Sequence, residues 1–463
     1  MKGTLLIVLL TLGLGAASFA RTRTEPDLRE RVAVGDEGSR IVAAVVKMEA
    51  FGFSGAVLAA KGGKVIAATG VGSADIKGAT PNTPATLFEI ASVTKQFTAA
   101  AVMRLVQDGK IDLDAPIGLY LGKVPAGCEG ITVRHLLNHT SGIPGSNSAG
   151  QGTDIGKALP VFLKGGPKRL PGTRFEYWNQ GYAIVSEVIA KASGKDYTEY
   201  CQSALFGPTG MTATCFTGDA MPNVAGVTVA VGISAMGRPR SALEHPYGSY
   251  GLQYRGMGGV VTNVWDLWRW DRALHRDGEG SILSDASKKE LFNPGLDKYA
   301  LGWYVMTDSR GKTVQSHGGG VRGFACEVRR LPDDDGCVLV LSNRDDAPVR
   351  LVADRVQAIL LGEAGADADL PGPLDAARAA ELSGRYTDEK GNTLTVKVDG
   401  RAVRANIEWA RQRGLMSRAH IGALDGGSIV LVESSGNTPI HVEQNAPGVT
   451  SALLVGPQRF SRK

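Results

Sequence analysis

Three separated segments carry side chains whose types and spacing suit acyl transfer. Ser92-Val93-Thr94-Lys95 opens a stretch in which Val93, Phe97, Ala101 and Leu105 recur at helical spacing. Residues three apart on a helix share a face, so the Lys95 ammonium can meet the Ser92 hydroxyl. The positive end of the helix dipole favours an anion developing there. Tyr177-Trp178-Asn179 offers a phenol and an amide. A phenol beside an ammonium is pushed toward phenolate and can take a proton from serine, while the amide can orient the lysine or the substrate. His317-Gly318-Gly319-Gly320 reads as a strand whose missing side chains let a substrate lie against the backbone. Taken singly, each motif has a plain structural explanation: a helix N-cap for Ser92, a tyrosine buried under a loop, a glycine-rich turn. Serine acylation needs an activated hydroxyl, a proton acceptor and oxyanion donors together, and the three segments supply them only jointly.

Other chemistries find no support. His135 and His139 stand at i, i+4, but no Glu follows His135 in the H-E-x-x-H manner and Thr140-Ser141-Gly142 ends the segment, so both are expected to be structural and no metal is implied. No G-x-S-x-G elbow, phosphate loop or dinucleotide fingerprint occurs, and no cofactor is expected. The 51 Lys and Arg are interspersed with 46 Asp and Glu, so the formal charge of +5 forms no basic stripe and nucleic acid is excluded as a partner.

The elements that must position these groups follow from periodicity. Gly55 to Gly70 reads as a hairpin turning at Lys61-Gly62-Gly63-Lys64. A helix runs from Ser92 to Asp108, with Gly109 at its C-terminal cap. Residues 110–290 are mainly helical, with Tyr182 to Ala192 and Val264 to Leu274 as clear segments. Strands return at Leu301–Met306, Lys312–Ser316, Gly323–Leu331 and Cys337–Ser342, before an apolar helix from Pro348 to Leu361. The fold class expected is α/β in the α+β sense: an antiparallel sheet flanked by helices with a mainly helical insertion. The stretch GEAGADADLPGPLD is small, acidic and Pro-containing, a linker at residues 363–376 between a unit at 30–362 and a small β-barrel-like module at 377–463. Alternation at Leu394, Val396 and Val398 before Asp399-Gly400, and further strands at 428–432 and 452–455, support that module.

The chain opens with Lys2, an apolar run from Leu5 to about Leu14, and Ser18 and Ala20 in a small-x-small arrangement, so residues 1–20 read as a cleaved signal peptide. The apolar part falls short of the roughly 20 residues of a spanning helix, which disfavours an uncleaved anchor. A periplasmic or secreted protein with no membrane span is expected. Export would permit a bridge between Cys326 and Cys337, which flank a hairpin turn at Leu331–Gly336; two small buried thiols fit the same positions equally. Five cysteines cannot all pair within the chain.

Together the three motifs, in this order, resemble the class C β-lactamase and penicillin-binding-protein superfamily of serine hydrolases, over about residues 40–362. Leu87-Phe88-Glu89-Ile90-Ala91, the segment Ile131–Pro144, Gly258–Asn263 and Leu341-Ser342-Asn343 are similar to that family as well. The resemblance implies that Ser92 attacks a carbonyl, Lys95 assists its deprotonation, and Tyr177 acts as general base and then protonates the leaving group. Asn179 would hold the acyl side chain and Lys95. Backbone N–H groups of Ser92 and Gly320 would form the oxyanion hole, with His317, Gly318 and Gly319 completing the substrate-binding strand. Many members have Lys-Thr-Gly where this chain has His317-Gly318-Gly319, which weakens the fixed charge available to a substrate carboxylate. Arg322 either supplies the missing cation or is a solvated edge charge, and Trp178 either narrows the pocket or packs away from it. Leu382-Ser-Gly-Arg-Tyr386 is similar to lipocalin-like modules appended to some relatives. The implied activity is hydrolysis of esters or amides, peptide or β-lactam-like, through an acyl-Ser92 intermediate. The alternative is a penicillin-binding or cell-wall-ligand sensor with little turnover. The partner implied is a small molecule or peptide; oligomeric state stays open.

Overall fold

The computed structural model describes residues 28–145, 152–234, 238–248, 250–275, 277, 281–363, 366, 371–399, 402–407, 418–423, 427–433, 436–455 and 458–463. The expected signal peptide and the Gly400 turn lie outside the described residues. The elements that frame the site are, in chain order, β1 (Val32–Ala33), α1 (Gly35–Lys47), β2 (Gly55–Lys61), β3 (Lys64–Val71), β4 (Thr86–Glu89) and α2 (Thr94–Gln107). They continue with α3 (Asn179–Ser193), β5 (Val260–Thr262), α4 (Val264–His275), β6 (Tyr304–Thr307), β7 (Thr313–Val321), β8 (Phe324–Leu331), β9 (Gly336–Ser342) and α5 (Val349–Leu360).

Seven strands form one antiparallel sheet in the order β1-β3-β2-β9-β8-β7-β6, so the hairpin near the start of the chain pairs with strands 280 residues later, Leu58 opposite Leu339. The apolar run GAVLAA in β2 has no polar alternation because both faces are covered. Ala56, Leu58 and Ala60 join Leu339 and Leu341 in a core with Phe97 of α2 and Ile184 of α3. The intervening Val57 and Ala59, with Val338 and Val340, face Ile41 of α1 and Val352 of α5. The period of two thus sends alternate residues of one strand into two separate cores.

The regular structure described in residues 110–290 is mostly helix, as expected, but β5 also lies there and pairs with β4, from earlier in the chain, in a short second sheet. The strand expected from Leu301 begins only at Tyr304. Gly302 adopts a left-handed φ of 77° and comes so close to the Lys95 carbonyl that a Cβ would lie 2.7 Å from its oxygen, which breaks the extended run. The hairpin at 331–336 forms, yet Cys326 pairs with Leu341 and Cys337 with Arg330. The two thiols stand four residues apart along the ladder, roughly 14 Å, and all five cysteines are free and buried.

Toward the C-terminus, eight strands among the described residues between Gly384 and Arg462 pair each with the next, and the last returns to the first at Tyr386–Arg462, closing an up-and-down barrel. Leu382, Tyr386, Leu394, Val396, Val403, Ile421 and Leu453 fill it. Val430 and Val432 join the core between α1 and α5, and Phe51 packs against Gly422. The barrel therefore packs on the α1–α5 side of the sheet.

Candidate active site

The chain leaves β4 and turns sharply into a 3-10 turn, Ala91–Val93, before α2 begins at Thr94. Ala91 has φ 45°, a left-handed conformation that costs a non-glycine residue of order 1–2 kcal/mol. Ser92 is therefore not the helix N-cap, a place taken by Val93; it stands on a strained turn two residues ahead of Thr94 and opens into a cleft of 560 Å³. Lys95 is fully buried beneath it, with Nζ 3.1 Å from Ser92 Oγ and donating to the Met257 carbonyl at 2.9 Å. Its Nζ also lies 5.0 Å from the Tyr177 ring centroid and 5.5 Å from that of Tyr182. Burial, with no carboxylate partner among the described residues, holds its pKa well below the usual lysine range.

Tyr177 lies in the loop before α3 and its hydroxyl hydrogen-bonds to Ser92. Burial pushes its pKa above the ordinary phenol value, opposed in part by that hydrogen bond. Desolvation thus acts against the phenolate expected beside an ammonium, as it acts against the ammonium itself. Trp178 is buried in the core and does not line the cleft; Asn179 begins α3 and is half-buried.

Strand β7 passes the Ser92 turn at Gly319, where a Cβ would sit 2.2 Å from the Ile90 carbonyl oxygen and 2.5 Å from Cys326 Sγ. Only glycine permits this crossing. Cys326 Sγ donates to the same carbonyl at 3.1 Å, and Ile90 N–H bonds to Val260 O at 3.0 Å. Strand β6 pairs with β7 only as far as Ser316, so among the described residues no strand covers the outer edge of His317–Val321, and that edge faces the cleft.

His317 is buried and its pKa is pushed down to about 3, chiefly by burial with Lys95 nearby. Its Nδ1 lies 2.7 Å from its neighbour's carbonyl, Gly318 O, and must carry the proton; Nε2, 3.1 Å from the Tyr299 hydroxyl, then accepts. The side chain is a neutral wall of the site. Arg322 is exposed in the β7–β8 turn and does not line the cleft. The cation that does is Arg350, in the first turn of α5, whose Nε is 3.9 Å from Glu327 Oε2.

The sequence motifs thus converge: Ser92, Tyr177 and His317–Gly320 line one cleft, with Lys95 under it. Sequence reasoning missed Arg350, the Met257 carbonyl, Tyr299 and Arg240. Arg240 is buried and hydrogen-bonded to both Glu89 and the Arg322 carbonyl, tying β4 to the end of β7. His135 serves a capping box with Thr132, and His139 lies against Tyr177; each imidazole accepts a backbone N–H rather than facing a common metal.

This arrangement of a serine–lysine turn crossed by a glycine strand defines a class of fold, and comparison with known proteins names it: a family profile described as Beta-lactamase matches residues 43–362. The chain belongs to that family. It is similar to "Penicillin-binding protein 4*" of Bacillus subtilis (strain 168), 29% identical over 319 residues, covering 64% of this chain and 69% of that protein. It also matches "Putative penicillin-binding protein PbpX" of the same strain, 32% identical over 268 residues, covering 57% of this chain and 64% of the relative. The chain therefore spans about two thirds of the length of these relatives. Among solved structures, the octameric penicillin-binding protein homologue from Pyrococcus abyssi aligns with TM-score 0.61 at 24% identity over 92% of this chain and 100% of that one. The D-amino acid amidase from Ochrobactrum anthropi SV3 complexed with L-phenylalanine amide aligns with TM-score 0.61 at 23% identity over 71% and 99%. Both share the fold. Among the described residues no helix is long and apolar enough to cross a membrane.

Proposed function

We propose that the protein is an exported serine hydrolase that cleaves ester or amide bonds through an acyl-Ser92 intermediate. The observation that carries this reading is the contact between a half-buried Ser92 and a fully buried Lys95, whose pKa burial pushes well below the usual lysine range. A neutral amine at 3.1 Å can accept the Ser92 proton as Oγ bonds to the substrate carbonyl carbon. The carbonyl oxygen becomes an oxyanion held by the backbone N–H groups of Ser92 and Gly320. As the bond to the leaving group breaks, Tyr177 gives its hydroxyl proton to the departing alcohol or amine, and the proton held by Lys95 restores it. Water then attacks the acyl-enzyme with the same groups acting in reverse. Asn179 orients the acyl group and Lys95, and the outer edge of Gly318–Gly320 receives the substrate backbone.

The chemistry of the cleft fits small esters, D-aminoacyl amides, peptides and β-lactam-like substrates. Penicillin binding and D-amino acid amides appear in the names of similar proteins and support that range. The unit carrying this activity is residues 30–362, with the module at 377–463 joined through 363–376, and the mature protein, freed of residues 1–20, works in the periplasm or outside the cell. The test is Ser92→Ala assayed with an activated ester and a fluorescent phosphonate. Loss of both turnover and labelling is expected; retention of either in the folded variant refutes the acyl-serine reading. Labelling by a penicillin without release in the wild type would instead favour the ligand-sensor alternative.

A further inference from the structure

His139 occupies a place in the fold that its sequence context does not reveal. Residues 174–178 form no regular secondary structure, yet they must hold the Tyr177 hydroxyl against Ser92. The backbone N–H on one side of Tyr177, that of Glu176, donates to the His139 carbonyl at 2.8 Å. The N–H on the other side, that of Trp178, donates to His139 Nδ1 at 3.1 Å. One residue thus grips the chain immediately before and immediately after Tyr177, with its carbonyl and its imidazole. The ring itself lies against the Tyr177 ring, centroids 4.2 Å apart, and is enclosed by Phe175, Tyr182 and Tyr299 at 5.8, 5.2 and 4.9 Å.

The backbone at His139 is left-handed, φ 59°, a conformation uncommon for any residue but Gly, Asn or Asp. That twist lets the carbonyl and the side chain of a single residue face the same strand of loop. Nδ1 accepts a hydrogen bond and so carries no proton, which puts the proton on Nε2, buried and with no hydrogen-bond partner among the described residues. Burial, with Lys95 and His317 nearby, keeps the imidazole neutral, as the acceptor role requires.

We propose that His139 is a positioning residue that sets the Tyr177 hydroxyl against Ser92 by clamping the backbone on both sides of Tyr177. The proposal rests on the reading of Tyr177 as the residue that passes the proton to the leaving group. Removal of the imidazole leaves the Trp178 N–H unheld and frees Tyr177 to shift, and a misplacement of about 1 Å in a reacting group costs on the order of 100-fold in rate.

The experiment compares His139→Asn with His139→Gly on an activated ester. Both residues accept a left-handed φ, but only Asn offers an oxygen on Cγ where Nδ1 stood. We expect H139G to lose about 100-fold in kcat with KM changed by less than about threefold, and H139N to stay within about fivefold of wild type. In a Tyr177→Phe background, H139G should cost no more than about threefold, since residues acting through one group are non-additive. Equal impairment of H139N and H139G, or an undiminished effect of H139G beside Y177F, overturns the proposal. If H139G fails to fold by near-UV circular dichroism, H139Q replaces it, because its amide oxygen stands one bond too far out to take the Trp178 N–H. Failure of the parent reading is distinct: Ser92→Ala would then keep its turnover, whatever the His139 variants do.

Discussion

The crossing of β7 over the Ser92 turn can be tested with one methyl group. In Gly319→Ala the new Cβ would stand 2.2 Å from the Ile90 carbonyl oxygen and 2.5 Å from Cys326 Sγ. Ordinary C···O contact is about 3.3 Å, so the two backbones must part by about 1 Å. Neither can yield by rotating a side chain: Ile90 is fixed through its N–H to Val260 and its carbonyl to Cys326, and Gly319 is held in register opposite Cys326. Ser92 lies two residues from one side of this contact and Gly320 one residue from the other, so the displacement falls on both proposed oxyanion donors. A donor moved from about 2.9 Å to about 4 Å no longer bonds, and loss of one such donor costs about 2.7–4 kcal/mol, or 100- to 1,000-fold in kcat. Gly320→Ala is the control, since its Cβ would meet nothing within 4 Å and Gly320 has no positive φ. Steady-state hydrolysis of an activated ester, with thermal denaturation to verify folding, measures both. We expect G319A to lose at least about 100-fold and G320A to lose less than about threefold. A folded G319A with near-wild-type kcat, or equal losses in the two variants, would refute the reasoning.

Lys95→Arg keeps a cation near Ser92 but cannot give up its proton, so turnover should fall by at least about 100-fold; an Arg variant with near-normal rates would show that charge alone suffices. In the wild type, the rate should climb with pH through the lowered Lys95 pKa and reach its plateau well below the ordinary lysine range, because protonated Lys95 cannot serve as base. Arg350→Gln should lower kcat/KM for substrates bearing a carboxylate by up to about fivefold, the scale of an exposed ion pair, and leave neutral esters unchanged. Its side chain is 67% exposed, so 0.5 M salt should erase much of the difference.

The residues proposed to do covalent chemistry were legible because they sit in short motifs: Ser92 and Lys95 three positions apart at the start of a helix, and beside them the glycines of β7 as a run. The hairpin at Gly62-Gly63 and the long helices were legible for the same local reason. What escaped sequence reading depends on register and distant contact. The hairpin between β8 and β9 was visible, but pairing Leu331 with Gly336 puts Cys326 opposite Leu341 and rules out the bridge to Cys337. Met257 contributes only a carbonyl, which any residue has, and Arg350 reaches the cleft because α5 packs behind the sheet. From its motif, Tyr177 was expected to be pushed toward phenolate by a neighbouring ammonium; the desolvation that pushes its pKa up instead depends on tertiary packing, which the motif does not carry.

The bare edge of β7 is a hazard as well as an opening. An unpaired row of peptide groups is a template on which a second chain can add, the route by which sheets aggregate. Among the described residues, β7 is left uncovered over His317–Val321 because its pairing with β6 ends at Ser316, and His317–Gly320 line a cleft shared with Ser92 and with Arg350 of α5. A whole β-sheet from another molecule cannot enter there, whereas a single extended strand can. By the same token, a mutation lengthening β6 past Ser316 would make the protein safer against self-association and close it to anything that must lie along that edge.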